Sequence, residues 1–348
     1  MLKDLSAAQL IAALLGVGAL IAWHELGHFM VARLTGMRVL AYAIGFGPRL
    51  FRFVRGDIEY RLCALPLGGY VQIAGMSRLE PGAADDPRAF INAPRWARIA
   101  TVLAGPVFNF LLAFVLFWVF FFAWPGGSVT LGDVRTGTPW AIAGLRDGDR
   151  VYAIDGRQIR TAAMFLESLP TASPKTLHVL RGDGDDAQSF EVALSPLTFD
   201  GTGWPLVGVR FEAFDVGLAE SGARAARAVA LYSGKTLAAL LKLLHGDEET
   251  RAATSGPPGI VKELKEAASR GLADFLWLLA FLNISLGLLN LLPIPALDGI
   301  KVLIMIGEGV FRREVNPYVL AVVNLVGLVL LLGLIVTVSI RDITKLLG

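Results

Sequence analysis

The chain has 348 residues, of which 54% are hydrophobic and only 18% charged, and its mean hydropathy is +0.58. That balance excludes an ordinary soluble enzyme and places the chain among polytopic membrane proteins. A net charge of +2 with no basic run gives no sign of a nucleic-acid partner, and the lone cysteine, Cys63, excludes an internal disulfide and leaves a metal one sulfur donor at most.

The first apolar segment, Leu5 to Trp23, carries no charged side chain, and the next charges are Glu25 and then Arg33. A helix over 5–33 would be ~42 Å long against a hydrocarbon core of ~30 Å, so His24 is expected inside the apolar zone. Lys3 precedes the run as in a signal peptide, but no small-residue cleavage site follows and the segment continues through His24 and His28, so a retained span is expected. His24 and His28 are i and i+4, neighbours ~5–6 Å apart at Cβ, and together could bind one ion. Glu25 is rotated aside, where it could reach a water on that ion without becoming a ligand. Zinc in such a site brings water toward ionisation near pH ~7, and the carboxylate would serve as general base against a peptide carbonyl. The short pattern arises by accident in many proteins. Here, though, it takes two of the chain's four histidines into an apolar span, where ionisable groups are costly without a function.

The loop after the first span is expected to form a β-hairpin over about 42–75, with β-formers at both ends of 58–74 and breaks at Pro66, Gly68 and Gly69. It is nearly uncharged after Arg61. Two readings stand: a hairpin dipping toward the membrane beside the metal, or an amphipathic hairpin on the surface. A second span is expected over 99–124, ending a first membrane half of 1–127. Residues 128–212 then become soluble in character, with short β-type runs and turns at Asp147-Gly148, Asp155-Gly156 and Gly182–Gly184, and read as a small α+β domain. An amphipathic helix over Leu218–Leu244 and a short helix over Ile260–Ala268 make up the linker 213–272, and the second membrane half, 273–348, holds spans over 273–294 and 318–340.

Charge sets the expected orientation. Between Arg33 and Arg98 there are ten basic and five acidic residues, whereas Trp124 to Leu272 has sixteen basic and eighteen acidic. The first loop is therefore expected on the cytoplasmic side, with the large domain, the linker and both termini outside.

Catalytic zinc usually keeps three protein ligands. His178 and His245 belong to the expected outer region. Of the acids near a cytoplasmic membrane end, Asp298, in the loop 290–299, is the best third ligand: Pro293 and Pro295 stop the third span before it, and Gly299 allows close backbone approach. A helix cap at Asp298 is the alternative. Asn290 could hold a substrate carbonyl or an oxyanion through its NH2, or serve helix packing; Asn283 and Asn109 carry the same two readings, with packing preferred.

His24-Glu25-Leu26-Gly27-His28, Ala104-Gly105-Pro106-Val107-Phe108-Asn109, and Asn290 through Gly299 (NLLPIPALDG) together resemble the site-2 proteases, intramembrane zinc metalloproteases. Ala143 through Val151 (AGLRDGDRV), followed by Ile154-Asp155-Gly156, resembles a bacterial PDZ domain, and the whole is similar to the bacterial regulator of sigma-E protease subgroup in a single-PDZ form. The resemblance implies a four-helix membrane protein with an inserted PDZ domain, located in the bacterial inner membrane. It implies Zn2+ held by His24, His28 and Asp298 with Glu25 catalytic. The activity it implies is cleavage of single-pass transmembrane substrates, an anti-sigma factor or a remnant signal peptide, already trimmed by an upstream site-1-type protease. Gly68, Gly69 and Tyr70 would lie in a membrane-associated hairpin whose edge pairs with the unwound substrate, and Leu206, Val207, Gly208 and Val209 would line the PDZ groove. Two other readings are weighed against it: a catalytically inert PDZ adaptor, and a membrane zinc protease of another class, whose third ligand is a downstream glutamate.

Overall fold

The computed structural model describes residues 7–77, 79–124, 127–132, 134, 136–159, 165, 168–170, 173–182, 187–196, 208–213 and 216–347. They fall into two compact units, one of Met1–Phe117 with Ala225–Gly348 and one of Trp118–Arg224.

In the first unit, α1 (Ala7–Leu34) is apolar around its whole circumference, the signature of a helix surrounded by protein or lipid rather than water. It ends at Gly36, whose φ of 80° suits the left-handed turn in which Met37 N–H reaches back to the Ala32 carbonyl. Among the described residues, four helices are long and apolar enough to cross a bilayer: Ala8–Leu34 within α1, all of α2 (Arg95–Ala123), all of α7 (Leu272–Leu291), and Pro317–Thr344 within α9 (Pro317–Leu347). The fourth is almost entirely exposed, with Leu325, Val326, Val329 and Leu330 all at least half open. Such a surface belongs in lipid. The chain is an integral membrane protein.

Between α1 and α2 lie β1 (Val39–Arg55) and β2 (Ile58–Ile73). The chain reverses at Gly56, with φ 62°, and not at 66–69 as the glycines and proline there suggested. Instead each strand bends in its middle: β1 at Gly45 and Gly47, with φ 86° and 85°, and β2 around Pro66. Residues 41–44 of β1 thereby gain partners on both sides. Ala41 to Ile44 pair with Gln72 back to Gly69 on one edge, and with Glu59 up to Leu62 on the other, where residue numbers rise in step. Glycines that allow positive φ inside a strand mark a bend as well as a turn, and only long-range pairing distinguishes the two. Ala32, Val39, Ile58, Ile73, Val102 and Met305 form the core beneath this sheet.

The remaining helices of this unit are α4 (Leu218–Leu244, from Ala225 on), α5 (Glu248–Ala253), α6 (Pro257–Arg270) and α8 (Asp298–Phe311). The amphipathic α6 packs on the spans: Leu264 is fully buried with Ala13 and Leu20 of α1 and Leu279 of α7. Gly299 lets α8 begin directly against the end of α7, because a Cβ there would collide with the carbonyls of Leu291 and Leu292. At the far end of α9, Asp342 accepts hydrogen bonds from Gly256 and Gly259 N–H (2.7 and 3.1 Å), capping α6.

The second unit is built on an antiparallel sheet of β3 (Gly127–Gly132), β4 (Arg150–Ile154), β5 (Arg157–Gln158), β6 (Lys175–Arg181), β7 (Gln188–Leu194) and β8 (Gly208–Ala213), in the order β7-β6-β4-β3-β8 with β5 paired to β4. The turn between β4 and β5 is Asp155-Gly156, with positive φ at both residues, as a two-residue hairpin requires. A one-turn helix, α3 (Pro139–Ile142), is capped by Thr138 and buries Trp140 among Val129, Leu131, Val151, Phe165 and Leu177. The buried Asp149 is held by Arg181 at 2.7 Å, and Arg181 also lies over the Phe190 ring. The turn expected at Gly182–Gly184 lies mostly outside the described residues, as do Leu206 and Val207.

Candidate active site

The i,i+4 spacing on α1 brings His24 and His28 together with ring centroids 4.8 Å apart and Nε2 atoms at 3.1 Å. Asp298, the first residue of α8, meets both: its Oδ2 is 3.2 Å from His24 Nε2 and 3.2 Å from His28 Nε2. Among the described residues, its carboxylate oxygens meet the two histidines and Lys301 Nζ and no backbone N–H. Three donors thus stand at the corners of a triangle with edges of 3.1, 3.2 and 3.2 Å. Ligands ~2.0–2.1 Å from a tetrahedral zinc lie ~3.3 Å apart, so the triangle matches one face of such a site. Two imidazoles and a carboxylate are also a zinc donor set.

The outward ring nitrogens are held as well. His28 Nδ1–H donates to the Thr101 carbonyl at 2.8 Å, and His24 Nδ1 lies 3.0 Å from the Asn109 amide, both partners on α2. Were Nε2 to ligate a metal, Nδ1 of His24 would carry the proton and need an acceptor. Among the described residues, the Asn109 Oδ1 is a buried acceptor with no partner. Placing Oδ1 rather than the amide nitrogen against His24 satisfies both groups, and the two atoms are interchangeable in shape. Asn109 is therefore more than a packing residue. The sequence carried a hint, since it closes the run Ala104–Asn109, but not the contact.

Glycines make room for the rings. A Cβ on Gly105 would lie 2.5 Å from His28 Cε1 and 2.7 Å from His24 Cε1, and one on Gly27 would strike Ala104 and the Phe108 ring. α1 and α2 are also clamped by Trp23 Nε1–H donating to the Phe108 carbonyl at 2.8 Å, while the Tyr42 hydroxyl on β1 donates to the Ala22 carbonyl at 2.7 Å. Burial, with Glu25 nearby, pushes that hydroxyl up to about 12, so it remains a donor.

A carboxylate oxygen of Glu25 lies within 4.8 Å of ring nitrogens of both histidines. Its Oε2 accepts a 3.1 Å hydrogen bond from Val71 N–H of β2. Gly69, beside it, has no room for a Cβ, which would stand 2.8 Å from the Ala43 carbonyl and 3.4 Å from Glu25 Cγ. Gly68 is filled by the Phe46 ring. Tyr70 is tied within the hairpin, its hydroxyl accepting from Arg61 at 2.7 Å and its ring stacked on Phe46. The Asn290 amide donates to the Leu286 carbonyl of its own helix at 3.0 Å, and Asn283 does the same to Leu279. His178 and His245 have partners of their own, in Glu191 and the Leu241 carbonyl. Gly208 and Val209 lie on β8, the last strand of its sheet, paired with Gly132 and Leu131.

Two histidines, an aspartate and a second carboxylate beside them, mounted on the helices of a membrane protein, define a membrane-embedded metallohydrolase. The model of peptidase family M50 matches residues 12–334 of this chain. A Clostridium perfringens protein bearing the name "putative zinc metalloprotease" is 33% identical over 337 residues, 96% of this chain and 98% of its own length. Proteins with the same style of name in Clostridium acetobutylicum and Campylobacter jejuni are 31% and 28% identical, covering 96% and 98% of this chain and 97% and 94% of their own lengths. The chain belongs to peptidase family M50, the site-2 proteases, and is a zinc metalloendopeptidase. The family resemblance read from the three motifs is borne out.

Proposed function

We propose that this enzyme cuts the transmembrane segment of single-pass proteins already shortened by an upstream protease, in the bacterial cytoplasmic membrane and from its cytoplasmic leaflet. The observation that carries this reading is the meeting of Glu25 with β2. On one edge, residues 69–72 pair with β1; on the other, Val71 N–H is turned to the catalytic carboxylate. A helical substrate offers no free carbonyl, whereas an extended one added along that edge would replace its lost backbone hydrogen bonds beside the base.

His24, His28 and Asp298 would hold zinc, which supplies the Lewis acidity that activates water at neutral pH and polarises the scissile carbonyl. Glu25 takes the proton from the attacking water on one carboxylate oxygen and returns it to the departing amine nitrogen. Val71 N–H fixes the other oxygen, so the base enters the reaction already oriented. The tight seating of Gly69 against Ala43 and Glu25 keeps the strand close enough for this.

The excess of basic residues over 33–98 supports the orientation. It also fits that the end of α9 and the segment at Gly256 are joined through Asp342, since both then fall outside. We read the second unit as a single PDZ domain that limits which ectodomains approach, with β8 at the groove. Remnant signal peptides and anti-sigma factors are the substrate classes this reading favours. The test compares membrane-peptide fragments in cells carrying the intact enzyme and Glu25→Gln. Loss of specific transmembrane fragments with zinc retained supports the reading, and identical fragment sets overturn it.

A further inference from the structure

We propose that Lys301 is a positioning residue of the zinc site, holding the Asp298 carboxylate with a single oxygen turned to the metal and so setting how tightly zinc is bound. The proposal rests on Asp298 being a zinc ligand. The two carboxylate oxygens have different partners: Oδ2 is 3.2 Å from both histidine Nε2 atoms, and Oδ1 is 3.0 Å from Lys301 Nζ. The ammonium therefore occupies the oxygen that could otherwise become a second ligand atom. It also leaves the carboxylate no freedom to turn.

The i,i+3 pair with Asp298 adds only ~0.2–0.5 kcal/mol to the helix, and the dipole works against the lysine. Lys301 stands in the first turn of α8, the end at which the helix dipole disfavours a cation, while Asp298 in the same turn is at the end that favours an anion. What the position offers is the carboxylate on one side and space on the other. The Lys301 side chain is 38% exposed and lines a cavity of about 250 Å³ together with Phe90, Arg98, Met305 and Glu308. Its charge thus stays in contact with an open space while its tip reaches a carboxylate whose side chain is 11% exposed. Glu308 borders the same cavity, yet the ion pair Lys301 makes is with Asp298. Outer partners of metal ligands fix ligand orientation, and their loss costs ~10–100-fold in metal affinity.

The experiment measures zinc dissociation by chelator competition for the full chain in detergent, as wild type, Lys301→Ala, Lys301→Met, Lys301→Arg and Asp298→Ala, alongside thermal melts of the zinc-free forms. Lys301→Ala and Lys301→Met are expected to weaken zinc binding ~10–100-fold, with Lys301→Arg recovering most of the loss. Should Lys301→Ala fail to fold, the nearly isosteric Lys301→Met decides. Wild-type zinc affinity in the Lys301 variants, with Asp298→Ala losing zinc, overturns the proposal and leaves the ligand assignment standing. Wild-type affinity in Asp298→Ala overturns the assignment itself. A lysine that only neutralised a buried carboxylate would lower the zinc-free melting temperature and leave zinc affinity unchanged, which also overturns the proposal.

Discussion

Gly105→Ala tests whether the zinc site is assembled by close approach of α1 and α2. Helix propensity and packing give opposite signs. On helix propensity alone, alanine in place of glycine inside a helix stabilises by ~1 kcal/mol. On packing, the new Cβ would sit 2.5 Å from His28 Cε1 and 2.7 Å from His24 Cε1, where carbon atoms prefer ~3.5–4.0 Å. The neighbours are unable to yield freely, because His28 is bonded to Thr101 and His24 to Asn109 on the same helix that carries the methyl group. Rings or helix must therefore retreat by roughly 1 Å, and a displacement of that size in a catalytic constellation costs ~10²-fold in rate, or ~2.7 kcal/mol. The assay is zinc affinity by chelator competition together with cleavage of a transmembrane reporter, with circular dichroism to show that the helices persist. Weakened zinc binding and lost cleavage in a folded protein are expected. Full zinc affinity with wild-type cleavage would refute the packing argument and the triangle of ligands with it.

Asn109→Leu leaves His24 Nδ1–H without its acceptor and is expected to weaken zinc ~10–100-fold, while Asn109→Asp, which keeps an acceptor, holds zinc better; chelator competition checks both. Asp342→Ala removes the acceptor for Gly256 and Gly259 N–H and is expected to destabilise by ~0.5–2 kcal/mol, seen as a lower melting temperature with zinc affinity intact. Leu264→Ala opens a cavity between α6, α1 and α7 and is expected to cost ~2–5 kcal/mol by the same melt. The hydrogen bond from Lys175, then that from Thr176 N–H, holds the Asp155 carboxyl below the usual carboxylate range. A lowered folded-state value contributes stability above the unfolded pKa of ~3.9 and loses it as pH falls through the folded value. Asp155→Asn should thus be less stable than wild type at neutral pH, with the difference closing on acidification, as parallel melts would show.

What was legible in the sequence is what local spacing or bulk composition encodes. The spans follow from runs of apolar residues. The pairing of His24 with His28 follows from helical period, and the Asp155-Gly156 turn from glycine chemistry. Asp298 could be singled out because two prolines and a glycine surround it, and those residues do end α7 and admit α8. The same glycine logic failed at 66–69. There the signal was a bend inside β2, and its meaning depended on β1 passing between two segments of that strand. Nothing in the sequence singles out Asn109, Val71 and Lys301 for the contacts they make. An amide, a backbone N–H and an ammonium are common groups, and the first two act on α1 residues 85 and 46 positions away. Lys301 is only three residues from its partner, but its significance depends on which oxygen of Asp298 the histidines take.

These three groups share a logic that the ligands alone do not explain. Each residue at the reacting centre is bonded on the side away from it: His24 to Asn109, His28 to Thr101, Asp298 to Lys301 and Glu25 to Val71. A buried donor or acceptor left unpaired is costly, and here the protein supplies the partners. The partners come from α2, α8 and β2, which makes the hairpin part of the site and not a cover over it. It follows that detaching β2 from Glu25, by widening Gly69 for instance, should impair cleavage while leaving zinc in place. Damage to α2 at Gly105 should remove both. That separation is the signature of a site whose base and metal are positioned by different elements.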